Sequence, residues 1–551
     1  MYEATLRIWD DYSEDAPTGI PYGYLPAFPS ESPALLREGS AVYAGQRTPS
    51  DPMALIGRER EIRDLEAYVG SGRPEFLALH GRRRVGKTFL IRSFFRNRFT
   101  FYCTGLFGGK KADQLRAWNA ALNRFATDPF PLADNWFDAF LQLERCIGQD
   151  TGTARKVIFI DEMPWLDTHG SGFLTALEYF WNSFASARQE IFLIACGSAA
   201  SWIVKKLFRN TGGLYNRVTR RMVLKPFTLR ECEMFFHSRG VVMNRYQMLE
   251  SYMVFGGIPF YMDMFLPEYG LAQNIDMLCF GENPRLAEEY GILFASLFGK
   301  DEHHRDVVNA LSQKAVGLTR DEIIRRTGIP NGGRLTETLE GLEQCGLLRR
   351  YMAFGKKSRD ALYQLNDHFT LFYHRFLKDG QNRDSDFWTH GFIGGAHRAW
   401  SGYAFEMVCL NHEEQIRRAL GILGVSANIY SWHSTKPTGT HANEPIGPGD
   451  PPEPAGAPAH PQNHTTHGAQ VDMVIDRADQ IINLCEMKYS LREFEIDAAY
   501  AKQLQDKLFA FAGETKTRKA LHLTLITTYG LRRNPYSSGV SSQVTMKDLF
   551  A

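Results

Sequence analysis

Residues 76–95 have the sequence FLALHGRRRVGKTFLIRSFF, which joins a short apolar run, a glycine-containing loop and an amphipathic helical pattern. The loop, residues 81–88, matches the spacing GxxxxGK[ST] at every fixed position. Glycines at these positions let backbone N–H groups surround a phosphate at a helix N-terminus, where the helix dipole favours negative charge. Because a strand pattern precedes the loop and a helix pattern follows it, the stretch predicts a nucleotide site in an α/β fold.

The loop predicts two ligands, ATP and Mg²⁺, and the residues that contact them. The residues expected to surround the phosphates of ATP are Gly81, Arg82, Arg83, Arg84, Val85, Gly86, Lys87 and Thr88. Within this set, we expect the Lys87 ammonium to reach the β and γ phosphates and the Thr88 hydroxyl to hold Mg²⁺.

Two further apolar runs end in polar residues that suit the same site. KVIFIDEMPWL, residues 156–166, leads into Asp161 and Glu162, and a buried strand does not normally end in two adjacent carboxylates without a use. Asp161 suits a direct or water-mediated Mg²⁺ contact, and Glu162 suits polarisation of the attacking water. EIFLIACGSAASW, residues 190–202, ends near Ser198, which either senses the γ phosphate or caps the following helix.

Six separated blocks carry a family resemblance: IGRERE, GRRRVGKT, FIDEMPWL, GSAASW, NRVTRRMVLKPF and GGIPFYM. In this order they resemble the archaeal-type ATPases, a family near the AAA+ and signal-transduction ATPases, over residues 53–270. The resemblance implies ATP hydrolysis and a helical lid at the GGIPFYM block. It also implies that Arg217 is an arginine finger that contacts the γ phosphate bound by a neighbouring subunit. The protein would then form a homo-oligomer. Arg220 and Arg221 lie close enough to leave that choice open, and a solvated basic surface is the alternative.

A middle segment, residues 317–351, has two helical patterns separated by a glycine-containing turn and followed by a basic strand pair. This order predicts a winged helix. As a DNA reader, the module would place residues 331–338 in a major groove and basic side chains of the wing near phosphates. Those side chains are Lys356, Lys357 and Arg359. The second helix also carries Glu337, Glu340 and Glu343, which would repel phosphates, so a packing role is the alternative.

Near the C-terminus, two alternating runs predict an antiparallel hairpin: QVDMVIDRADQ, residues 470–480, and IINLCEMKYS, residues 481–490. A turn centred on residue 479 places Asp472 opposite Glu486, and Lys488 shares a face with Glu486 because side chains alternate along a strand. Two close carboxylates favour a divalent cation between them, and the lysine can orient water or offset charge. Cross-strand ion pairs on a surface hairpin are the alternative.

This pattern, D-x13-E-x-K, resembles the PD-(D/E)xK nuclease fold. The resemblance implies that Asp472, Glu486 and Lys488 are catalytic, with Mg²⁺ or alternatively Mn²⁺ bound by Asp472 and Glu486. It also implies that Glu406, on a helix with an apolar stripe, joins the metal ligands. A following helix brings Gln503 and Lys507 towards the substrate. The expected partner is nucleic acid, with DNA favoured over RNA.

Composition limits the remaining function classes. A net charge of +1 provides no global field for nucleic acid, so any such contact depends on local patches. The eight cysteines have no metal-like spacing and are expected to be reduced thiols. The absence of a long apolar stretch and of a signal peptide predicts a cytoplasmic protein with no membrane contact.

The predicted fold class is α/β: a P-loop parallel sheet with a helical lid, then a winged helix and an α/β nuclease-like domain. The expected divisions are a flexible extension (1–52), the ATPase domain (53–230), the lid (231–302), the winged helix (303–380) and the nuclease-like domain (381–551) with a disordered insertion (434–468). We therefore expect an ATPase coupled to a metal-dependent nuclease. The alternatives are a scaffold ATPase whose nuclease fold does not cut and an ATP-responsive DNA-binding regulator.

Overall fold

The computed structural model describes residues 54–551 except 153, 210–211, 300, 315, 357–359, 379–383, 392–394 and 435–468. The predicted flexible extension and the predicted disordered insertion, apart from Ser434, lie outside the described residues. None of the helices in the part of the chain that the structure describes is long and apolar enough to cross a membrane. All eight cysteines are buried and unpaired.

A five-stranded parallel sheet organises the first half of the chain, as the sequence predicts. Its strands are β1 (Glu75–His80), β2 (Phe101–Thr104), β3 (Lys156–Asp161), β4 (Ile191–Gly197) and β5 (Arg220–Val223), in the order β2-β3-β4-β1-β5. Every residue of β1, β3 and β4 is buried, which explains why these strands are apolar throughout rather than alternating. The carboxyl ends of the three strands therefore meet at one edge, where ligands bind in open α/β sheets.

Helices cover this sheet and continue into a helical segment beyond it. They are α1 (Glu59–Val69), α2 (Lys87–Phe94), α3 (Lys111–Phe125), α4 (Trp136–Gln149), α5 (Phe173–Ser183), α6 (Ala200–Ile203), α7 (Leu229–Ser238), α8 (Arg245–Phe255), α9 (Pro259–Met262), α10 (Leu271–Cys279) and α11 (Glu289–Phe298). Gly257, between α8 and α9, has φ +66°, and a Cβ there would lie 2.4 Å from the Phe227 carbonyl oxygen. Glycine is thus required where the lid approaches the chain that leaves the sheet.

The middle segment consists of three helices and a small antiparallel sheet. The elements are α12 (Glu302–Ser312), β6 (Leu318–Thr319), α13 (Arg320–Thr327), α14 (Gly333–Gln344), β7 (Leu348–Tyr351) and β8 (Leu362–Leu365), with strand order β6-β8-β7. This order of helices and strands is the one that the sequence suggested for a winged helix, which stays a prediction.

A mixed five-stranded sheet organises the C-terminal part. It contains β9 (Ala427–His433), β10 (Gln470–Arg477), β11 (Ile481–Lys488), β12 (Ala520–Thr527) and β13 (Ser542–Thr545), in the order β13-β12-β11-β10-β9. Pairing is antiparallel across β9, β10 and β11 and parallel across β11, β12 and β13. The helices are α15 (His368–Phe372), α16 (Phe387–Gly391), α17 (Gly395–Asn411), α18 (Glu413–Ala419), α19 (Ala498–Thr515) and α20 (Met546–Leu549).

One hydrophobic core connects these parts. The same cluster of buried side chains includes Leu77 of the first sheet, Tyr252 of the lid, Leu339 of the middle segment, and Phe405 and Met487 of the C-terminal part. Burial of shared apolar surface opposes independent movement of the parts. The predicted lid is therefore packed against the C-terminal sheet as well as against the first sheet.

Candidate functional sites

The phosphate loop connects β1 to α2 and is shaped by its glycines. Gly81 has φ +151°, and a Cβ at this position would lie 2.3 Å from the Leu224 carbonyl oxygen. Gly86, at the start of α2, has φ +90°. The buried Lys87 folds back over the loop, and its Nζ donates to the carbonyl oxygens of Gly81 at 3.2 Å and Arg82 at 3.1 Å. The lysine is thus held by neutral groups that a phosphate can replace.

Predicted residues from three strands meet beside this loop. The Thr88 hydroxyl donates to Asp161 Oδ2 at 2.7 Å, so the end of β3 lies against the start of α2. Burial and the neighbouring Glu162 carboxylate raise the pKa of Asp161 to about 6, against the opposing effects of Thr88 and Lys87. Glu162 Oε2 accepts from the Ser198 backbone N at 3.1 Å and hydroxyl at 3.0 Å.

The side chains at this site fit ATP and Mg²⁺. A hydroxyl and a buried carboxylate in contact are the oxygen groups that surround Mg²⁺ in phosphate loops, and the raised pKa of Asp161 shows that a cation beside it would be favourable. Glu162 has φ +42°, in the left-handed region that a non-glycine residue adopts only at a cost. That conformation turns its carboxylate towards Ser198 at the sheet edge.

The side chains of two loop arginines point away from the phosphate position. Arg82 is buried and forms an ion pair with Asp367, which immediately precedes α15. Arg84 contacts Glu289 at 2.7 Å, and Glu289 accepts from the Tyr261 hydroxyl at 2.7 Å. The sequence analysis missed Asp367, Glu289 and Tyr261, since no local pattern links them to the loop. These contacts tie the phosphate loop to the lid and to the chain beyond the middle segment.

The structure separates the three arginines that the sequence left as alternatives. Arg220 contacts the buried Glu75 through Nε at 3.2 Å and a second nitrogen at 3.0 Å. The Arg221 guanidinium lies over the Phe208 ring, 4.3 Å from its centroid. Arg217 is exposed and donates to the Gly213 carbonyl at 3.4 Å. Arg221 is exposed as well, so exposure does not choose between these two, and the contact of Arg217 with another subunit stays a prediction.

A second cluster, the carboxylate–lysine site, consists of Glu406, Asp472, Glu486, Lys488 and Lys507. The pairs Met473–Cys485 and Val474–Leu484 have the register predicted from the sequence. Continued by one residue, this register places Asp472 opposite Glu486. Asp472 Oδ2 also accepts from the Met487 backbone N at 2.9 Å, which holds the aspartate against β11.

Glu486 is the buried centre of this cluster, with 1% of its surface exposed. Lys507 Nζ contacts both of its carboxylate oxygens at 2.7 Å, the Tyr500 hydroxyl donates to Oε2 at 3.4 Å, and Lys488 Nζ lies 3.9 Å away. Burial and the Asp472 charge raise the pKa of Glu486 to about 7, although Lys507 and Lys488 oppose them. The helix α19 was expected to bring Lys507 towards a substrate; here Lys507 pairs with Glu486. Gln503, one turn before it, is exposed.

Glu406, on α17, faces the same cluster. Burial and the Asp472 charge raise the pKa of Glu406 to about 8, and Glu486 adds to this effect while Lys488 and Lys507 oppose it. The structure therefore brings together three carboxylates from three separated segments of the chain.

Within the described ranges, no three His, Cys, Asp or Glu side chains are arranged to hold a metal ion. The donor set is nevertheless oxygen-rich, which suits Mg²⁺ and Mn²⁺. The Lys507 ammonium occupies the position between the Glu486 oxygens that a cation would need. A metal ion fits this site only if Lys507 moves away from Glu486.

The predicted DNA-reading helix, α14, packs against α6 and the residues that follow it. Glu337 pairs with Lys205 at 3.1 Å and Glu340 pairs with Arg209 at 2.9 Å, both basic residues following Ser198 and α6. Two of the three acidic residues that would repel a phosphate backbone, Glu337 and Glu340, thus have basic partners in the same chain, in agreement with the packing alternative. In the wing, Lys356 is exposed, while Lys357 and Arg359 lie outside the described residues.

Comparison with known proteins identifies the first of these sites. Residues 55–265 match the model of an ATPase domain found predominantly in Archaea. An uncharacterised protein of Methanocaldococcus jannaschii is 24% identical over 327 residues, which cover 59% of this chain and 69% of that protein. The matched range contains the phosphate loop, Asp161, Glu162 and Ser198, so the match supports the ATPase part of the prediction from the sequence.

Two solved structures are among those similar to this chain. A Walker-type ATPase of Pyrococcus abyssi has 18% sequence identity and a TM-score of 0.45, covering 58% of this chain and 96% of its own. A structure of Drosophila ORC bound to DNA has 12% identity and a TM-score of 0.26, covering 67% of this chain and 99% of its own.

Proposed function

We propose that this protein is a regulatory ATPase coupled to a metal-dependent nuclease that acts on DNA or, alternatively, RNA. The observation that carries the nuclease half is the convergence of Glu406, Asp472 and Glu486 with two lysines at the end of one hairpin. Burial and the neighbouring carboxylates raise the pKa values of Glu406 and Glu486, which favours a divalent cation, and a lysine beside them suits charge developing on a phosphodiester.

In the ATPase half, the Lys87 ammonium exchanges its two backbone carbonyl partners for phosphate oxygens. Thr88 and Asp161 are the residues that would hold Mg²⁺ with ATP, and such an ion would neutralise charge on the phosphates. Glu162 polarises the attacking water and accepts its proton. Its hydrogen bonds from Ser198 keep the carboxylate at the sheet edge and connect it to the residue predicted to sense the γ phosphate.

In the nuclease half, Asp472, Glu486 and Glu406 are the residues that would hold Mg²⁺ or Mn²⁺. When bound, such an ion polarises a phosphodiester and acidifies a water molecule. Lys507 leaves Glu486 and becomes available to a phosphate of the nucleic acid. Lys488, whose side chain is 32% exposed and whose ammonium lies 3.9 Å from Glu486, orients the water or offsets transition-state charge.

A non-cleaving role is the second candidate, and one contact favours it. Both oxygens of Glu486 are already satisfied by Lys507 at 2.7 Å, so the buried carboxylate needs no metal ion for its stability. In that case the C-terminal sheet binds nucleic acid or a partner without cutting it.

Two substitutions separate these functions. We expect Asp472→Asn to lower Mn²⁺ affinity sharply, because one of few anionic ligands becomes neutral. We expect Lys488→Ala to leave Mn²⁺ bound and to slow cleavage by about 10²- to 10⁴-fold, the usual value of a positioned catalytic group. Matched controls are Asp506→Asn and Lys502→Ala, which alter exposed residues of α19.

Calorimetric Mn²⁺ titrations and cleavage of plasmid and single-stranded DNA and RNA, with and without ATP, provide the measurements. If the wild-type protein binds no divalent ion at this site and cuts nothing under any nucleotide condition, the nuclease proposal is wrong. Metal binding without cleavage would instead support the second candidate.

A further inference from the structure

The lid helix α8 reaches the residue that follows Lys488. Tyr246 and Glu250 lie one turn apart on α8 and share a face. The Tyr489 hydroxyl donates to Glu250 Oε1 at 3.0 Å and forms a hydrogen bond with the Tyr246 hydroxyl. The Tyr246 and Tyr489 rings are stacked with centroids 5.6 Å apart. The ATPase lid thus holds the chain at the end of β11.

This contact is buried and specific. Every residue of α8 from Met248 to Phe255 is buried, including Glu250. Burial raises the pKa of Glu250 to about 7, although its bonds to Tyr489 and Tyr246 oppose this. A buried carboxylate is costly unless hydrogen-bonded, so the pairing with Tyr489 defines one preferred arrangement of lid and sheet.

The same helix contacts residues linked to the phosphate loop. The Tyr252 ring lies 5.2 Å from the His368 ring, and His368 follows Asp367, the ion-pair partner of Arg82. Tyr252 also lies 5.2 Å from the ring of His412, directly after the helix α17 that carries Glu406.

Hydrogen bonds reinforce this second connection. His412 Nε2 accepts from the Leu229 backbone N, at the start of α7, at 3.0 Å. The Asn411 side chain lies 3.3 Å from His368 Nε2. Helix α8 is therefore packed between α15, whose preceding residue Asp367 pairs with Arg82 of the phosphate loop, and two elements of the carboxylate–lysine site, β11 and α17.

We propose that α8 is the positioning element of the carboxylate–lysine site and that it transmits the nucleotide state of the phosphate loop to that site. A phosphate that draws Lys87 from the carbonyl oxygens of Gly81 and Arg82 alters the loop at Arg82. The buried ion pair passes the change to Asp367 and His368, and from there to Tyr252 on α8. Tyr489 then moves with the lid and carries the adjacent Lys488 with it. The role of that site in cutting rests on the proposed function above, whereas the coupling does not.

Hydrogen exchange of the backbone amides of residues 486–490 tests the coupling without any nuclease assay. We expect a non-hydrolysable ATP analogue with Mg²⁺ to change the exchange of these amides in the wild-type protein. Tyr489→Phe keeps the ring but removes its hydroxyl bonds, so the nucleotide-dependent change should fall at least about fivefold while nucleotide affinity stays within about twofold. Glu250→Gln retains an acceptor oxygen and should preserve most of the change. Tyr536→Phe, at an exposed tyrosine of the same part of the chain, is the matched control.

The outcomes distinguish this proposal from the previous one. The coupling is overturned if the nucleotide leaves residues 486–490 unaffected in the wild-type protein, or affects them equally in Tyr489→Phe. If the exchange pattern is as expected but the protein neither binds metal nor cuts, the coupling stands and only the nuclease function fails. In an active nuclease, the ratio of cleavage rates with and without nucleotide should fall towards one in Tyr489→Phe and remain near the wild-type ratio in Glu250→Gln.

Discussion

The phosphate loop and the carboxylate–lysine site differ in the partners of their charged groups, which are neutral at the first site and charged at the second. At the phosphate loop, Lys87 is held by two backbone carbonyl oxygens, and Asp161 by the Thr88 hydroxyl. At the carboxylate–lysine site, Glu486 is held by an ammonium, with Lys507 on both of its oxygens. A ligand of the first site replaces neutral partners, whereas a cation at the second must displace a charge.

This difference has an energetic consequence. Removing one partner of a fully buried ion pair costs about 3–5 kcal/mol, and the cost is smaller here because the Lys507 side chain is 23% exposed. The first site is therefore ready for its ligand, whereas we expect a metal ion to bind weakly at the second as long as Lys507 contacts Glu486. Four predictions test the comparison.

Lys87→Ala should have the largest combined effect, because it lowers both nucleotide affinity and hydrolysis. It removes the ammonium that meets the β and γ phosphates, and hydrogen bonds to charged groups are worth about 1.5–3 kcal/mol each, so ATP affinity should fall by about 10²-fold or more and hydrolysis with it. Fluorescent-nucleotide titration and phosphate release measure these effects. Lys110→Ala, at an exposed lysine of the same domain, is the control. Retained affinity would show that the loop binds phosphate without this lysine.

Glu162→Gln should affect turnover alone. The amide oxygen can still accept from Ser198, so the geometry is kept, but the side chain no longer accepts a proton from water. We expect hydrolysis to fall by about 10²- to 10⁴-fold with nucleotide affinity unchanged. Glu59→Gln, at an exposed glutamate, controls for charge. Unaltered phosphate release would remove Glu162 from the role of base.

Lys507→Gln tests the second site directly. Removal of the competing ammonium should tighten Mn²⁺ binding by about 10-fold, since a unit charge a few ångströms away is worth about 1 kcal/mol even in water and more when partly buried. Calorimetry compares this variant with Lys502→Gln, an exposed lysine on the same helix. Weaker binding in Lys507→Gln would mean that the lysine arranges the carboxylates instead of competing with the metal ion.

Glu340→Gln should have the smallest effect of the four. It shows how little an exposed ion pair contributes to stability, for comparison with the charged groups at the two sites. Its ion pair with Arg209 is 41% and 63% exposed on the two sides, and exposed pairs contribute about 0–1 kcal/mol. The free energy of unfolding should change by less than about 1 kcal/mol, and the change should shrink in high salt. Denaturant melts at two salt concentrations measure this. A larger loss would show that α14 is held against the segment after β4 mainly by charge.

Part of the molecule was predictable because its determinants are local. Gly81, Gly86, Lys87 and Thr88 lie within eight consecutive residues, and the apolar runs before Asp161 and Ser198 mark strands whose ends must share one edge of a parallel sheet. The register of the hairpin was also predictable, because a short turn and alternating side chains leave few ways to pair β10 with β11.

The sequence by itself determined the phosphate loop, the central strands and the hairpin, because each depends on neighbouring residues and on the periodicity of one segment. Only the tertiary structure decided the partners of the charged groups. Arg82 and Asp367 are 285 positions apart, and Glu250 and Tyr489 are 239 apart. No periodicity links such residues. They meet because the lid, α15 and β11 bury their apolar faces in one core. The charged and hydroxyl groups that become buried with these faces then pair with the nearest polar groups, because a buried polar group without a partner is costly.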